Sequence, residues 1–347
     1  MTEREISPQP LLSVREVVQE FVVRERGGAR GGVVQAVSGV SFDILAGETL
    51  GIVGETGSGK STLARAILQA PRPKSGRVVF RGTDLARLRG RRLLEARRNL
   101  QFVFQDPFGS LDPKWRVRSI IAEPLVAQHA GDRAARARRV SELLDLVGLD
   151  PARYARRYPR ELSGGQAQRV AIARAVALNP SLLICDEAVS SLDVLIQAQV
   201  LNLLERLRGE LGLSYLFIAH DLALVKQVSD RVAVMYLGRM CEIGPGESVY
   251  RQPLHPYTRA LLDSVPSTEP GAARSAATIK GEPPSPISPP SGCRFRTRCP
   301  RARDRCAEQQ PPPVEHAPGH VVACHFPLIS DEERPVAGPQ AGRADVD

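Results

Sequence analysis

No stretch of 18 or more uninterrupted apolar residues occurs in the 347-residue sequence, so a membrane-spanning helix has nowhere to form. The segment Met1 to Pro10 is charged and lacks an apolar h-region. That excludes a secretory signal and predicts a cytoplasmic address with reduced cysteines. No internal repeat is visible, which argues against a repeat architecture. Acidic residues are in deficit, with 38 Asp and Glu against 47 Lys and Arg, a formal charge of +9. Such a balance permits attraction to nucleic acid, nucleotide phosphates or an anionic membrane face, and does not choose among them. The arginine clusters at Arg87 to Arg98 and Arg133 to Arg139 read more simply as solvated helix faces than as a nucleic-acid footprint.

What is present is an α/β rhythm. Glu48 to Val53 is a short apolar run ending at Gly54, and Lys60 to Gln69 follows with helical spacing before Pro71 and Pro73 stop it. From Asp106 to Pro159 the pattern turns helical and polar, with Leu143, Leu144, Val147 and Leu149 as an apolar stripe, which predicts an inserted helical subdomain. Ser163 can cap a helix running to Leu178, Leu182 to Cys185 read as a buried strand, Val194 to Arg208 as a helix and Tyr215 to Ala219 as another strand. Alternation of this kind implies a largely parallel sheet. Leu237-Gly238 reads as a turn between strands Arg231 to Tyr236 and Arg239 to Ile243. A Pro-rich linker from Pro266 to Pro290 then separates a cysteine-bearing module, and the polar tail from Asp331 to Asp347 is expected to be disordered.

Gly54-Glu55-Thr56-Gly57-Ser58-Gly59-Lys60-Ser61 fits the phosphate-loop pattern G-x-x-x-x-G-K-[ST]. Glycines there let backbone N–H groups converge on phosphate oxygens at a helix N-terminus, with Lys60 reaching the outer phosphates and Ser61 the Mg²⁺. A second element, Leu182-Leu183-Ile184-Cys185-Asp186-Glu187, is an apolar strand that delivers two carboxylates at its C-terminal edge. Asp186 is placed to hold Mg²⁺. Glu187, facing the opposite way if the strand geometry persists, is a candidate to orient or deprotonate an attacking water.

Leu162-Ser163-Gly164-Gly165-Gln166 is the signature by which the chain resembles ATP-binding cassette proteins. Further landmarks of that family follow in order. Gln105, in Phe102-Val103-Phe104-Gln105-Asp106-Pro107, resembles the loop glutamine that touches Mg²⁺ and water; Ser191-Leu192-Asp193 resembles the loop that crosses a dimer interface; His220 resembles the switch histidine at the γ-phosphate. Phe21 matches the aromatic that stacks on adenine, although a Phe in an apolar strand reads equally as core. Phe104 to Pro113 and His255 to Leu262 look like stretches of the oligopeptide, dipeptide and nickel importer branch, and the resemblance covers roughly Leu11 to Leu328. Ala167 and Ala188 depart from the branch pattern, where Arg and Pro are usual.

The resemblance implies a RecA-like P-loop NTPase core with an antiparallel β subdomain and an inserted α-helical subdomain, plus a small Cys-containing C-terminal module. The corresponding ranges are 1–265 for the ATPase domain, with its helical subdomain at about 106–160, then 266–330 for linker and module, and 331–347 for the tail. It also implies that Gly54 to Thr62 hold ATP, and that Ser163, Gly164, Gly165, Gln166 and Asp193 serve the ATP of a second protomer. The implied partners are a second ATPase subunit, identical or different, two transmembrane permease subunits and, through the complex, an extracytoplasmic solute-binding protein, at the cytoplasmic face of the membrane and without nucleic acid. A nucleic-acid- or ribosome-associated cassette ATPase is the rival reading. Against it, Gln105 and Ser163 are separated by one short helical segment rather than a long insertion.

Cys293, Cys299, Cys306 and Cys324 lie in C-x5-C-x6-C-x17-C spacing within a Pro-rich, basic segment with little apolar material of its own. In a reducing compartment four thiolates suit an iron–sulfur cluster or Zn²⁺, while packed thiols or disulfides are the plainer alternatives. The spacing lacks the C-x2-C pair usual for structural zinc, and the family resemblance implies a [4Fe–4S] cluster. His316, His320 and His325 are possible substitute ligands, and Cys185 and Cys241 read as buried strand residues.

Overall fold

The computed structural model describes residues 9–23, 31–264 and 281–329. The predicted tail, and the first part of the predicted linker, lie outside the described residues. Twelve strands occur in these residues: β1 Leu12–Val22, β2 Val33–Ile44, β3 Thr49–Val53, β4 Ser75–Phe80, β5 Thr83–Asp84, β6 Leu100–Val103, β7 Leu182–Asp186, β8 Ser214–Ile218, β9 Arg231–Tyr236, β10 Arg239–Pro245, β11 Val314–Ala317 and β12 His320–Val322.

They form two sheets. A four-stranded antiparallel sheet has the order β2-β1-β4-β5, and an eight-stranded sheet has the order β11-β12-β10-β9-β3-β8-β7-β6. Within the second, β9, β3, β8, β7 and β6 run parallel. Strands β3, β7 and β8 are buried at every position, as expected for a parallel sheet covered on both faces. The period of two divides their side chains cleanly. Leu183, Cys185, Tyr215 and Phe217 join the core on the helical side, while Leu182, Ile184, Leu216 and Ile218 join a second core shared with the antiparallel sheet.

The predicted helical insertion is present as helices Pro107–Ser110, Val117–Ala127, Arg133–Leu146 and Pro151–Tyr154. Its apolar stripe, Leu143, Leu144, Val147 and Leu149, is buried in the same core cluster as Val170 and Ala171 of the following helix Gly164–Ala175. That shared cluster makes the insertion part of the main core.

One expectation needs correction. The cysteine-bearing segment is not set apart from the cassette, because β12 pairs antiparallel with β10 and extends the main sheet, with β11 beyond it. Phe295 is 2% exposed and belongs to the main core, with Cys293 and Cys299 packed against it. A segment too short to bury a core of its own has completed itself on the edge of a larger one.

Candidate functional site

The strand–loop–helix unit forms where the sequence indicates it. Strand β3 ends at Val53, and helix Lys60–Ile67 begins directly after the glycine loop. Two glycines are sterically required. Gly54 has φ +156°, and a Cβ there would lie 2.1 Å from the Met235 carbonyl oxygen; Gly59 has φ +99°, and a Cβ there would lie 2.0 Å from the Ala36 carbonyl oxygen. Lys60 Nζ reaches back across the loop, donating to the carbonyls of Gly54 at 2.7 Å and Glu55 at 3.1 Å and to Ser58 Oγ at 3.3 Å. Burial lowers its pKa, opposed by the charges of Glu187, Asp186 and Glu55.

Asp186, the last residue of β7, accepts a hydrogen bond from Ser61 Oγ at 2.8 Å, so the hydroxyl and carboxylate expected at one metal are adjacent. Burial raises the Asp186 pKa, and the Ser61 hydrogen bond works the other way. A divalent cation would favour the charged carboxylate, so the Ser61–Asp186 pair fits Mg²⁺ in donor chemistry.

Glu187 does not continue the strand. Its φ is +49°, and its N–H donates to the Ile218 carbonyl of neighbouring β8 at 2.9 Å. This left-handed residue turns the carboxylate out of the strand's alternation, so its direction comes from a turn. There it accepts from Gln105 Nε2 at 2.8 Å, and His220 Nδ1 lies 3.5 Å from the same oxygen. Three residues separated in sequence thus meet beyond the ends of three adjacent strands, β6, β7 and β8, at the carboxyl edge of the parallel sheet. The strand before His220 stops at Ile218, one residue earlier than its apolar run suggests.

Ser163 caps helix Gly164–Ala175. Its Oγ accepts the Gln166 N–H at 3.3 Å and its own N–H donates to Gln166 Oε1 at 3.0 Å, a reciprocal capping box. Gly165 is buried so closely that a Cβ would meet Ile196 Cγ2 at 2.5 Å. Asp193 caps helix Val194–Leu211 by accepting the Ile196 N–H at 3.0 Å. Among the described residues no hydrogen bond joins Ser163–Gln166 to Gly54–Thr62. Beside Asp193, Val194 and Leu195 are 82% and 69% exposed, an apolar surface with no partner in the monomer. Phe21, in β1 opposite Val34, is 39% exposed, which sets aside its reading as core.

A groove of about 900 Å³ runs from Ser61 and Asp186 past Phe104 and Gln105 to Glu123 and Arg174. Sequence reasoning missed three residues around these elements. Ser190 lies 3.5 Å from Gln105 Nε2 and donates to the Glu187 carbonyl at 3.0 Å. Tyr257 accepts the Glu55 N–H on its hydroxyl at 2.9 Å, and Arg298 reaches the Glu55 carboxylate at 2.8 Å. Tyr257 lay within a stretch singled out by resemblance, whereas Arg298 had no signal beyond its place beside Cys299.

All six cysteines are free. Cys185 and Cys241 are buried strand residues, as expected. Cys293, Cys299, Cys306 and Cys324 line one small pocket with His255 and His325. Burial raises the pKa of Cys293, Cys299 and Cys324, and neighbouring thiols add to it; backbone N–H groups of Phe295, Arg301 and Phe326 point at those same sulfurs and oppose it. Four thiols with amide donors suit a soft, thiolate-preferring guest in donor type. Even so, among the described residues no group of three or more His, Cys, Asp or Glu side chains is arranged to hold a metal ion. Of the substitute ligands, His320 is committed elsewhere, its Nε2 lying 2.7 Å from Glu242 Oε1 in the core.

Comparison with known proteins places the chain among relatives. Residues 37–190 match the ABC transporter family, and residues 241–306 match the family described as oligopeptide/dipeptide transporter, C-terminal region. The oligopeptide transport ATP-binding protein AppF of Bacillus subtilis is 51% identical over 322 residues, covering 92% of this chain and 98% of the relative. Among solved structures, the dimeric ATP-binding cassette MJ0796 in a post-hydrolysis state with ADP and Pi superposes with a TM-score of 0.60 at 29% identity, covering 67% of this chain and 98% of that one. The cassette cbiO1 of Clostridium perfringens, part of the cbiONQ complex, gives a TM-score of 0.59 at 28% identity, covering 70% and 90%.

Proposed function

The chain belongs to the ATP-binding cassette transporter family and is an ATPase subunit, and from that premise we propose that it energises uptake of oligopeptides or dipeptides. The match of residues 241–306 to an oligopeptide/dipeptide C-terminal region and the peptide-transport name of AppF support that cargo class. The observation that carries the mechanism is the convergence of Ser61, Asp186, Gln105, Glu187 and His220 at one sheet edge, beside Lys60.

In this reading the loop Gly54 to Thr62 cradles the phosphates of ATP with its free amides, and Lys60 swings from its own loop carbonyls to the outer phosphates. Ser61, Asp186 and Gln105 would hold Mg²⁺, which would supply charge neutralisation at the phosphates. Glu187 accepts the proton of the attacking water, with Gln105 and His220 orienting its carboxylate and the γ-phosphate. Phe21 stacks on the adenine, supported by its exposed ring.

A second protomer, the same chain or a different ATPase, supplies its Ser163, Gly164, Gly165, Gln166 and Asp193 from across the nucleotide. Exposed Val194 and Leu195 beside Asp193 support an interface there. The groove past Gln105, lined in part by exposed Phe104, receives a cytoplasmic helix of a permease subunit. The protein then sits peripherally on the cytoplasmic membrane face, within a complex that includes two permeases and a solute-binding protein. No helix among the described residues is long and apolar enough to cross a membrane.

For the four cysteines the reading is a [4Fe–4S] cluster, supported by their convergence on one pocket and by the amides aimed at the sulfurs. Iron and acid-labile sulfide in anaerobically prepared protein test it. Zinc without iron makes the site a zinc site, and neither leaves packed thiols.

The decisive experiment for transport is purification from membranes. Recovery with permease subunits, and peptide-stimulated ATP hydrolysis in the reconstituted complex, is expected; enrichment with nucleic acid instead would overturn the proposal.

A further inference from the structure

Resting on the reading of Gly54–Thr62 as the phosphate loop, we propose that Arg298 of the four-cysteine segment is a positioning residue for nucleotide binding, acting through Glu55. Glu55 is the second residue of that loop, where backbone amides must gather round a polyanion. A carboxylate at this place has the wrong sign for the ligand. Arg298 Nη1 holds it at 2.8 Å, the arginine side chain being 7% exposed and the glutamate 24%. A pair so shielded is screened by salt far less than a surface pair. Arg298 is itself fixed: it donates to the Tyr236 hydroxyl at 3.3 Å, and its guanidinium lies 5.8 Å from the centre of that ring.

The backbone of the same residue is gripped from the same side. The Glu55 N–H donates to Tyr257 Oη at 2.9 Å. Tyr257 packs on Tyr236 and Phe295 at ring separations of 4.7 and 5.2 Å. Arg294, also in the four-cysteine segment, donates to the Leu237 carbonyl and to Gln35 Oε1, anchoring the segment on the hairpin whose Gly238 N–H bonds the Ser58 carbonyl at 2.8 Å. The C-terminal segment therefore holds the phosphate loop at Glu55 by charge and, through Phe295 and Tyr257, by backbone. Arg298 offsets the Glu55 charge and fixes the carboxylate at its own guanidinium.

The test is titration of the full-length protein with a fluorescent ATP analogue, alongside steady-state hydrolysis. Arg298→Ala removes the cation paired directly with Glu55 beside the phosphates, and nucleotide affinity should fall roughly tenfold while kcat at saturating ATP stays near wild type. Arg298→Lys, which keeps the charge, should retain most of the affinity. The double variant Arg298→Ala with Glu55→Gln should recover to within about twofold of wild type, which loss of packing alone cannot produce. Thermal melting checks that each variant is folded, and Arg298→Gln replaces the alanine variant if that one is not. Lys60→Ala is the control for the underlying reading, because undiminished binding by that variant sinks the phosphate loop itself. If Lys60→Ala loses nucleotide while Arg298→Ala binds as wild type, or if the double variant binds no better than Arg298→Ala, the positioning role alone is overturned.

Discussion

At the scale of single residues, Asp186 and Glu187 are neighbours in the chain with different surroundings. Asp186 ends a buried strand and meets Ser61, whereas Glu187 sits in a left-handed conformation and meets Gln105 and His220. The φ of +49° at a non-glycine residue costs on the order of 1 kcal/mol, a strain compatible with a carboxylate that must be aimed. Replacing Glu187 by Gln removes the base and leaves the phosphate loop intact. Phosphate release should fall by roughly 10²-fold or more while ATP binding persists, and near-normal release would reject the assignment. The two tight glycines make a sharper claim. Gly59→Ala would place a methyl 2.0 Å from the Ala36 carbonyl oxygen, so the loop must shift and nucleotide affinity should collapse, as a direct binding titration will show. Gly57, with nothing within 4 Å of its virtual Cβ, meets no clash and has only its φ of +81° to strain it, so Gly57→Ala should be the milder change.

At the scale of elements, the C-terminal segment is a structural part of the cassette. Phe295 contacts Tyr236 edge-on at 5.2 Å, Tyr257 at 5.2 Å and His255 at 5.9 Å. Its truncation to Ala opens a cavity in an aromatic cluster and should cost about 3–5 kcal/mol, read as a lowered denaturation midpoint. A midpoint unchanged from wild type would mean that the segment folds independently of the sheet it extends. The same element shows why the separate-module expectation failed. Proline content and cysteine spacing mark a change of composition, but strand addition is a backbone interaction, and a three-residue β12, two of whose residues pair with β10, carries too weak a period to be read in one dimension.

At the scale of the whole molecule, the signature end and the phosphate loop share no hydrogen bond among the described residues, yet each reaches solvent, the loop at Thr56 and Gly57 and the signature at Ser163. Helix caps satisfy Ser163 and Asp193 locally, and the apolar Val194 and Leu195 beside them are left to solvent. The proposed nucleotide sandwich would cover this surface with another copy or a similar chain. Ser163→Arg should therefore bind ATP at its own loop with little change and yet hydrolyse it poorly, because the damage falls on the partner's nucleotide. Gel filtration of Glu187→Gln with ATP should show a dimer, and the Ser163→Arg substitution in that background should abolish it; a monomer in both would remove the sandwich.

The sequence alone determined the parts. The glycine loop, the two carboxylates after an apolar strand, the Ser163 cap and the cysteine spacing are local features, dictated by backbone sterics and capping within a few residues of one another, and so they were legible together with the α/β class they sit in. The tertiary structure decided how those parts meet. It swung Glu187 out of its strand towards Gln105 and His220, committed His320 to Glu242, exposed Phe21, and set Arg298 against Glu55 across 243 residues of chain. Contacts of that kind depend on sheet order and on which edge a distant strand joins, and neither leaves a period or a motif in the residues that make them.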